Sequence, residues 1–600
     1  MDKTHHTHVT DIPLCFRVGV TGHRDAALAA VDRAALEKVV AEVLAQLAQN
    51  ANQVLQQQSA VYSGGAAQLQ LISALAEGTD RLVAQQALQA GWTLHALLPF
   101  SAANYQLDFE TDASKQAFSG LLDAVHAVTD LAIDRTTAQL TGYEAVGKLL
   151  ARNTDVLIAL WDGEPARGPG GTASVVEMAL QEGVPVVWVG LTAELQVRCI
   201  APGNGVVNQI SWQSWLADFV ENTLTPPQQD SDRLEQQELA QFMATSPGRV
   251  KKGWLYPFFQ WCFTGRKPGK SDFVQAKQED VCAQQWHAFN EGTSEAMPDV
   301  QASAAIHQHY IKADLLASMF AQQYRAASIL NYVLASMAVL MALLGLLLKD
   351  LKLVWILLEL SIILGMLGNT YIGKRHRWHQ KWLDYRLLAE QLRVARYFAL
   401  IGANSLKQHR WLSSFHQAQH VSWVNWYLTA VIRSVNLPAG QLGNACTERF
   451  SEGLTTQLND QIAYHHHTAA QAHKAEHRLH ILGEVCLYGT LLACLGYLGV
   501  AVFSETVNYS VATWVTFITA LLPAFGASSY GLRAHGDYEG IAHRSELTAT
   551  QLSDIAGRLE QTEHDLASLL TLSELVRQVK SAELRDWRVT FERKLLAIPG

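Results

Sequence analysis

Four apolar stretches constrain this 600-residue chain more than any other feature. AASILNYVLASMAVLMALLGLLL, residues 326–348, carries no charge; as a helix it is about 34 Å long, enough to cross a hydrocarbon core of about 30 Å. LVWILLELSIILGMLGNTYIG, residues 353–373, follows after only KDLK, so the two predict a hairpin. VCLYGTLLACLGYLGVAVFS (485–504) and VATWVTFITALLPAFGASSYGL (511–532) predict a second hairpin around a short turn. Laid over each other at a shift of 160 residues, the pairs coincide. The helices after them then share Leu387/Leu547, Ala389/Ala549, Gln391/Gln551 and Leu392/Leu552, a pattern of a duplicated module. The expected C-terminal architecture is an all-α membrane region with four transmembrane helices in two hairpins and long cytosolic helices, divided into modules at 306–440 and 441–600.

Orientation follows from charge. Lys374, Arg375, Arg377, Lys381, Arg386, Arg393 and Arg396 follow the second stretch, while the 504–510 turn has no Lys or Arg. The positive-inside bias puts both termini and the long polar helices in the cytoplasm; Lys349 and Lys352 in the first turn weaken the contrast without reversing it. The expected location is the cell (inner) membrane. The N-terminus MDKTHHTHVTDIP has no apolar core of a signal peptide.

Upstream the pattern is different. From 16 to 190, apolar runs of strand length alternate with helical patterns: RVGVTG, QLQLISAL, WTLHALLP, AVTDLAID, DVLIALWDG and VPVVWVG. Runs such as DVLIAL are apolar on both faces, which predicts a buried parallel sheet with helices over both sides, a Rossmann-like α/β domain over 1–220. Residues 221–305 read as a polar linker, interrupted by the aromatic and basic segment KKGWLYPFFQWCFTGRKPGK at 251–270.

Charge narrows the partners. The first 220 residues hold 12 Lys and Arg against 22 Asp and Glu, within a net charge of −9 for the chain, so no nucleic-acid partner is expected. Seven scattered cysteines without a CxxC pair argue against a disulfide scaffold or a cysteine zinc site, and suit a reducing compartment.

Three strand ends in the α/β part carry glycine loops: Gly19-Val20-Thr21-Gly22-His23-Arg24, then Ser73-Ala74-Leu75-Ala76-Glu77-Gly78-Thr79-Asp80, then Pro169-Gly170-Gly171-Thr172-Ala173-Ser174. A loop that leaves a strand and opens a helix exposes unpaired backbone N–H groups at a positive dipole end, and glycine lets an anion approach them. In a parallel sheet such loops share one edge, so together they predict a phosphate-binding crevice, against the simpler reading of three tight turns. Thr21, His23 and Arg24 are candidate further contacts, with a structural role for His23 equally open.

The loops resemble known families. PGGTASVVE is similar to the PGGxGTxxE motif of LOG-type phosphoribohydrolases, with Ala173 for the third glycine and Ser174 for the threonine. SALAEGTDRLVAQQALQAG resembles the SGLAxGxD stretch of DNA-processing protein A. Together they point to the SLOG superfamily over about 15–195, and imply a nucleotide-derived ligand of the ADP-ribose, NAD-related or cyclic nucleotide type. The hairpins with their polar helices, such as HQKWLDYRLLAEQLRVAR, resemble SLATT modules, pore-forming or membrane-perturbing effectors of bacterial conflict and anti-phage systems. The resemblance implies a ligand sensor that permeabilises a membrane as a homo-oligomer. In LOG enzymes an Arg on the preceding helix works with the motif's Glu on an N-glycosidic bond. Glu177 matches that Glu, but Val146 stands at the Arg position, with Lys148 and Arg152 nearby. Binding without turnover is therefore expected, with Glu177 on ribose hydroxyls; the alternative is a membrane-tethered nucleotide phosphoribohydrolase or nucleosidase.

Other features stay open. Glu359 inside the second stretch is costly in lipid and faces a partner helix, water or a pore, or makes an interhelical hydrogen bond. Pro523 with Gly526 predicts a kink in the fourth stretch. The pairs Ser361/Gly365, Gly489/Ala493 and Ala527/Gly531 offer close helix contact for assembly. WLYPFFQWCF, flanked by Lys251, Lys252, Arg266 and Lys267, either lies in the membrane interface or docks on the protein. His465–His467, His473, His477 and His480 read as a solvated helix face rather than a metal site.

Overall fold

The computed structural model describes residues 12–29, 31–166, 168, 170–227, 233–247, 253–291, 297, 299–406, 422–503, 509–563 and 565–598. Pro169, Lys251, Lys252 and residues 504–508 of the second turn lie outside the described residues.

The six apolar runs form six strands: β1 (Ile12–Gly22), β2 (Tyr62–Ser73), β3 (Thr93–Leu98), β4 (Ala127–Asp130), β5 (Val156–Trp161) and β6 (Val186–Gly190). Three further strands extend the sheet, β7 (Val197–Ala201), β8 (Gly205–Val207) and β9 (Gly440–Gln441), in the order β8-β7-β6-β5-β1-β2-β3-β4-β9. All neighbours are parallel except β6/β7 and β7/β8.

The longer helices in this part are α1 (Arg33–Gln57), α2 (Thr79–Gln89), α3 (Asp112–Ala124), α4 (Arg135–Asn153), α5 (Thr172–Gln181) and α6 (Trp212–Leu224). They cover both faces, so each central strand is apolar on both sides, as DVLIAL requires. In β5, Val156, Ile158 and Leu160 enter one core with α1, α2 and α6, while Leu157 and Ala159 enter a second core with α4 and α5.

After α7 (Arg233–Ala244), α8 (Leu255–Thr264) and α9 (Gln278–Glu291), the chain is almost entirely helical: α10 (Gln301–Leu347), α11 (Lys352–Arg375), α12 (Trp378–Phe398), α13 (Trp423–Ser434), α14 (Asn444–Phe503), α15 (Tyr509–Gly536), α16 (Tyr538–Gln561) and α17 (Leu566–Glu592). Four of its helical segments, Gln301–Leu347, Lys349–Arg375, Asn444–Val502 and Tyr509–Gln561, are long and apolar enough to cross a membrane. Many of their apolar side chains lie bare, Leu353 at 71% and Leu492 at 69% exposure. α10 packs on α11 and α15, and α14 on α15.

Hydrogen bonds hold these helices together where apolar contact discriminates poorly. Asn331 Nδ2 donates to Thr370 Oγ1 (2.9 Å), Asn369 Nδ2 to Asn331 Oδ1 (2.7 Å), and Ser336 Oγ to Ser528 Oγ (2.6 Å). The two helix pairs share a backbone feature at the 160-residue shift. Arg377 (φ 51°), between α11 and α12, and Asp537 (φ 53°), between α15 and α16, are both left-handed and sit 160 residues apart.

The helical region is not a separate body. Ile306, Tyr310 and Ile311 of α10 belong to the core that holds Phe16 and Val18 of β1, while Phe450, Leu454 and Leu458 of α14 belong to the core on the other face. α13 docks beneath β1 and β5, where Arg433 makes a two-pronged contact with Asp155: Nε to Oδ1 and Oδ2 at 3.0 Å each, and Nη2 to Oδ1 at 2.9 Å, both side chains buried. Arg17 Nη2 donates to the Ile432 carbonyl (3.4 Å), and Tyr62 Oη and Trp426 Nε1 both donate to the Leu224 carbonyl.

Candidate functional site

β2, β3 and β4 build outward from one side of β1, and the chain then crosses over to lay β5 on the other side. The C-terminal ends of β1 and β5 therefore form a topological switch point, the place where a doubly wound sheet opens a crevice. The three glycine loops follow β1, β2 and β5, adjacent parallel strands, and so lie at the same edge of the sheet.

The first two interlock. Thr79 donates to the His23 carbonyl from both its backbone N (3.1 Å) and its Oγ1 (3.0 Å). Gly78 has φ +89°, and a Cβ on it would lie 2.6 Å from the His23 carbonyl oxygen; a Cβ on Gly22 would overlap the Thr79 side chain. Here the glycines serve close backbone approach. His23 joins the first loop to the segment after β5, since its backbone N donates to the Leu160 carbonyl (3.1 Å) and its Nε2 lies 2.8 Å from Asp162 Oδ1. At Gly170 (φ +76°) a Cβ would lie 2.5 Å from Tyr143 Cβ, so the third loop is pressed onto α4.

Both helices that open from these loops have bare N-termini: no side chain caps Gly78 ahead of α2 or Gly171 ahead of α5. Apart from the Thr79 N–H, which donates to the His23 carbonyl, their first-turn amides, including those of Thr172 and Ser174, are available to an anion. Thr172 is buried at this terminus, Ser174 is half-buried, and Thr21 is buried near the end of β1.

Other candidates fall elsewhere. Gly19 sits inside β1, where a Cβ would lie 2.8 Å from Thr154 Cγ2, so it serves helix packing over the sheet. Ser73 is fully buried and its Oγ accepts from the Leu75 N (3.0 Å), shaping the second loop. Glu77 is turned to α3, bonded to the Ser114 hydroxyl, which also receives Arg81 Nη1 (2.7 Å). Glu177 is exposed on the second turn of α5 and accepts from Gln181 Nε2 (3.2 Å).

Several residues at this edge escape sequence reasoning. Val146 is buried, and Arg152 pairs with Glu182 (3.0 Å) and Glu574 (3.3 Å) at the far end of α4. Cations at the crevice end come instead from Arg24, Arg81 and Arg135. Arg135 opens α4 and forms an ion pair with Asp108, which Tyr143 Oη also contacts. Arg81 lies over the Phe109 ring, 4.2 Å from its centroid. Buried Tyr105 feels the charges of Asp80, Tyr143, Asp108 and Arg24, and its hydroxyl is held well above the usual phenol range, chiefly by burial. The available signal was an aromatic and acidic loop after β3, which no glycine marks.

Asp80, buried at the start of α2, has its carboxyl pushed up to about 7 by burial, opposed by the backbone N–H of Ala76 and by Arg81. An acid whose folded value lies above its unfolded one holds its proton more tightly when folded, so stability falls as pH rises from 3.8 to about 7. Asp80→Asn is expected to remove that slope, worth about 2–4 kcal/mol across the window, in thermal melts taken from pH 4 to 8. An unchanged slope would show that another group causes it.

The open features resolve in part. Glu359 is half-buried, one helical turn from Trp355, whose Cβ side packs on Gly345. α15 continues through Pro523, which is exposed. Gly489 meets Leu522 and Gly531 meets Tyr332, whereas Gly365 has nothing within 4 Å. His473 Nε2 lies 3.0 Å from Glu546 and His465 Nε2 lies 3.6 Å from Glu583. Among the described residues, no group of three His, Cys, Asp or Glu could hold a metal.

Comparison of the chain with protein-family models, with curated proteins and with solved structures finds no match.

Proposed function

We propose that the chain is a membrane-embedded effector in which a SLOG-like cytosolic domain captures a nucleotide-derived ligand and triggers membrane permeabilisation by SLATT-like spans, in bacterial defence. One observation carries the reading. α10 and α14 each run unbroken from a core on one face of the ligand-crevice sheet into an apolar stretch long enough to span a bilayer. Two hairpins insert with both termini in the cytoplasm, and a homo-oligomer forms the conducting state. Ligand binding works by differential affinity for two packings of the helices, since equal affinity would shift nothing. The anion enters at the bare N-termini of α2 and α5, where backbone dipoles supply positive potential within an acidic domain.

The rival reading is a tethered phosphoribohydrolase or nucleosidase with Glu177 as its acid or base. Residues 423–441 complete the packing of the sheet, so the full chain in detergent is the proper sample. Incubated with nucleoside monophosphates, NAD and ADP-ribose, it is expected to bind without releasing base. Base release that Glu177→Gln abolishes would establish the enzyme and defeat the sensor-only reading. The positive-inside arrangement predicts that reporters at 349–352 and within 504–510 fall on the same, non-cytoplasmic side; opposite sides would contradict it.

A further inference from the structure

A cavity of about 730 Å³ lies away from the glycine loops. It sits where both long helix pairs leave their apolar stretches, between α8, α10, α12, α14, α15, α16 and α17. Its wall joins Ser328 and Ile329, at the start of the first apolar stretch, and Leu532, at the end of the fourth, to a polar floor. One end is therefore apolar and the other charged.

Charge balance at that floor is uneven. Arg266 is paired with Asp272 (2.9 Å), Arg544 with Asp537 (2.7 Å), and Arg386 with Glu390 and Asp314. Arg325 is different. Its guanidinium lies 5.4 Å from the Tyr256 ring centroid and 5.2 Å from that of Trp382, and Nη1 donates to Tyr256 Oη at 3.0 Å. Among the described residues, no carboxylate forms an ion pair with it. A half-buried, aromatic-caged cation without a counter-charge has lost water without regaining an anion.

The segment over the cavity fits an amphiphile. Phe259 of α8 is buried against Ile329 and Leu479, while Trp254, Phe258 and Trp261 are 66%, 47% and 51% exposed. Gln322 Nε2 donates to the Gly253 and Asp272 carbonyls, and Arg478 Nη1 to the Cys262 carbonyl (2.6 Å), so the α8 segment is strapped across the base of the apolar stretches. The two readings of WLYPFFQWCF are thus compatible: one face docks on the protein, and the other presents aromatic rings outward, as interfacial residues do.

We infer that this cavity binds the phosphate of an anionic amphiphile on Arg325, with the apolar part running toward Ile329 and Leu532. A bilayer lipid as its source rests on the membrane reading above; a soluble phosphate would use the same arginine. In native mass spectrometry of the full chain in detergent, wild type and Arg325→Lys are expected to retain phosphatidylglycerol, and Arg325→Gln to retain it about tenfold less, the loss of one charge-assisted contact. Phosphatidylcholine, whose phosphate is already paired within its own head group, is expected to bind weakly in all three. Glycerol 3-phosphate is the second probe. Failure to displace the lipid assigns the site to the bilayer; displacement at matched concentration assigns it to a soluble phosphate, and either supports the phosphate site. Equal phosphatidylglycerol retention by wild type and Arg325→Gln, or no binding of either probe to wild type, overturns it. Release of the chain from membranes by alkaline carbonate would contradict the membrane reading alone, because the glycerol 3-phosphate titration still tests the cavity.

Discussion

Arg433→Met is expected to lower stability by about 3–5 kcal/mol, among the largest single-residue effects in the chain, because Asp155 would lose its two-pronged partner while remaining in the interior. Both side chains are essentially excluded from solvent, at 3% and 0% exposure. The pair ties α13, far along the sequence, to the residue that leads into β5. Asp155→Asn with Arg433→Met together is expected to recover part of the loss, since the buried carboxylate goes with its partner while the buried Arg17 beside them keeps its charge. Thermal melts of the full chain in detergent read the difference, and both the sheet and the helices should melt earlier, because they share cores. A single variant melting like wild type would show that the sheet and α13 are energetically independent.

Gly78→Val is the second large effect, and it falls on ligand capture. The position combines φ +89° with a Cβ 2.6 Å from the His23 carbonyl oxygen, so a branched side chain must drive the first two loops apart. Left-handed strain in a β-branched residue adds to the clash. At least a hundredfold loss of nucleotide binding is expected, equivalent to about 3 kcal/mol, from displacement of the α2 N-terminus relative to β1. Gly91, also at positive φ (+78°) but with nothing within 4 Å of a Cβ, provides the control: Gly91→Ala carries the strain without the clash and should leave binding near wild type. Isothermal titration of both variants with ADP-ribose, NAD or a cyclic nucleotide, whichever the wild type binds, checks this. Equal binding by Gly78→Val and wild type would remove the second loop from the site.

Much of the scaffold was legible because its signals are local. DVLIAL declares a strand buried on two sides, and the strand-to-helix glycines mark the loops, whatever the rest of the chain does. The four long apolar helices were legible by length and composition alone. What escaped depends on distant pairing. Gly440–Gln441 joins β4 through only two residues, too short for any periodicity, and α13 reads as an ordinary amphipathic helix until Arg433 meets Asp155. The site shows the same division. Gly22, His23, Gly78, Gly170 and Gly171 announce themselves as turn chemistry; the first three interlock, and Gly170 is pressed onto α4 at the same sheet edge. Arg135, Asp108, Tyr143 and Tyr105 come from a loop and a helix start that carry no motif. The cation that α4 brings there is Arg135, three helical turns before the buried Val146, and only the fold shows which end of α4 meets the C-terminal edge of the sheet. Gly19 and Glu77 illustrate the converse: both belong to motif-like stretches, yet one packs a helix and the other anchors α3.

The most direct test of the central claim is release of an encapsulated dye from liposomes bearing the full chain, with ADP-ribose, NAD or a cyclic nucleotide, whichever the wild type binds, added to the outside. Wild type is expected to release dye only with the nucleotide, and Gly78→Val to stay closed at the same protein density. Release that is equal with and without the nucleotide, or equal in wild type and Gly78→Val, would contradict the coupling of the glycine crevice to the spans.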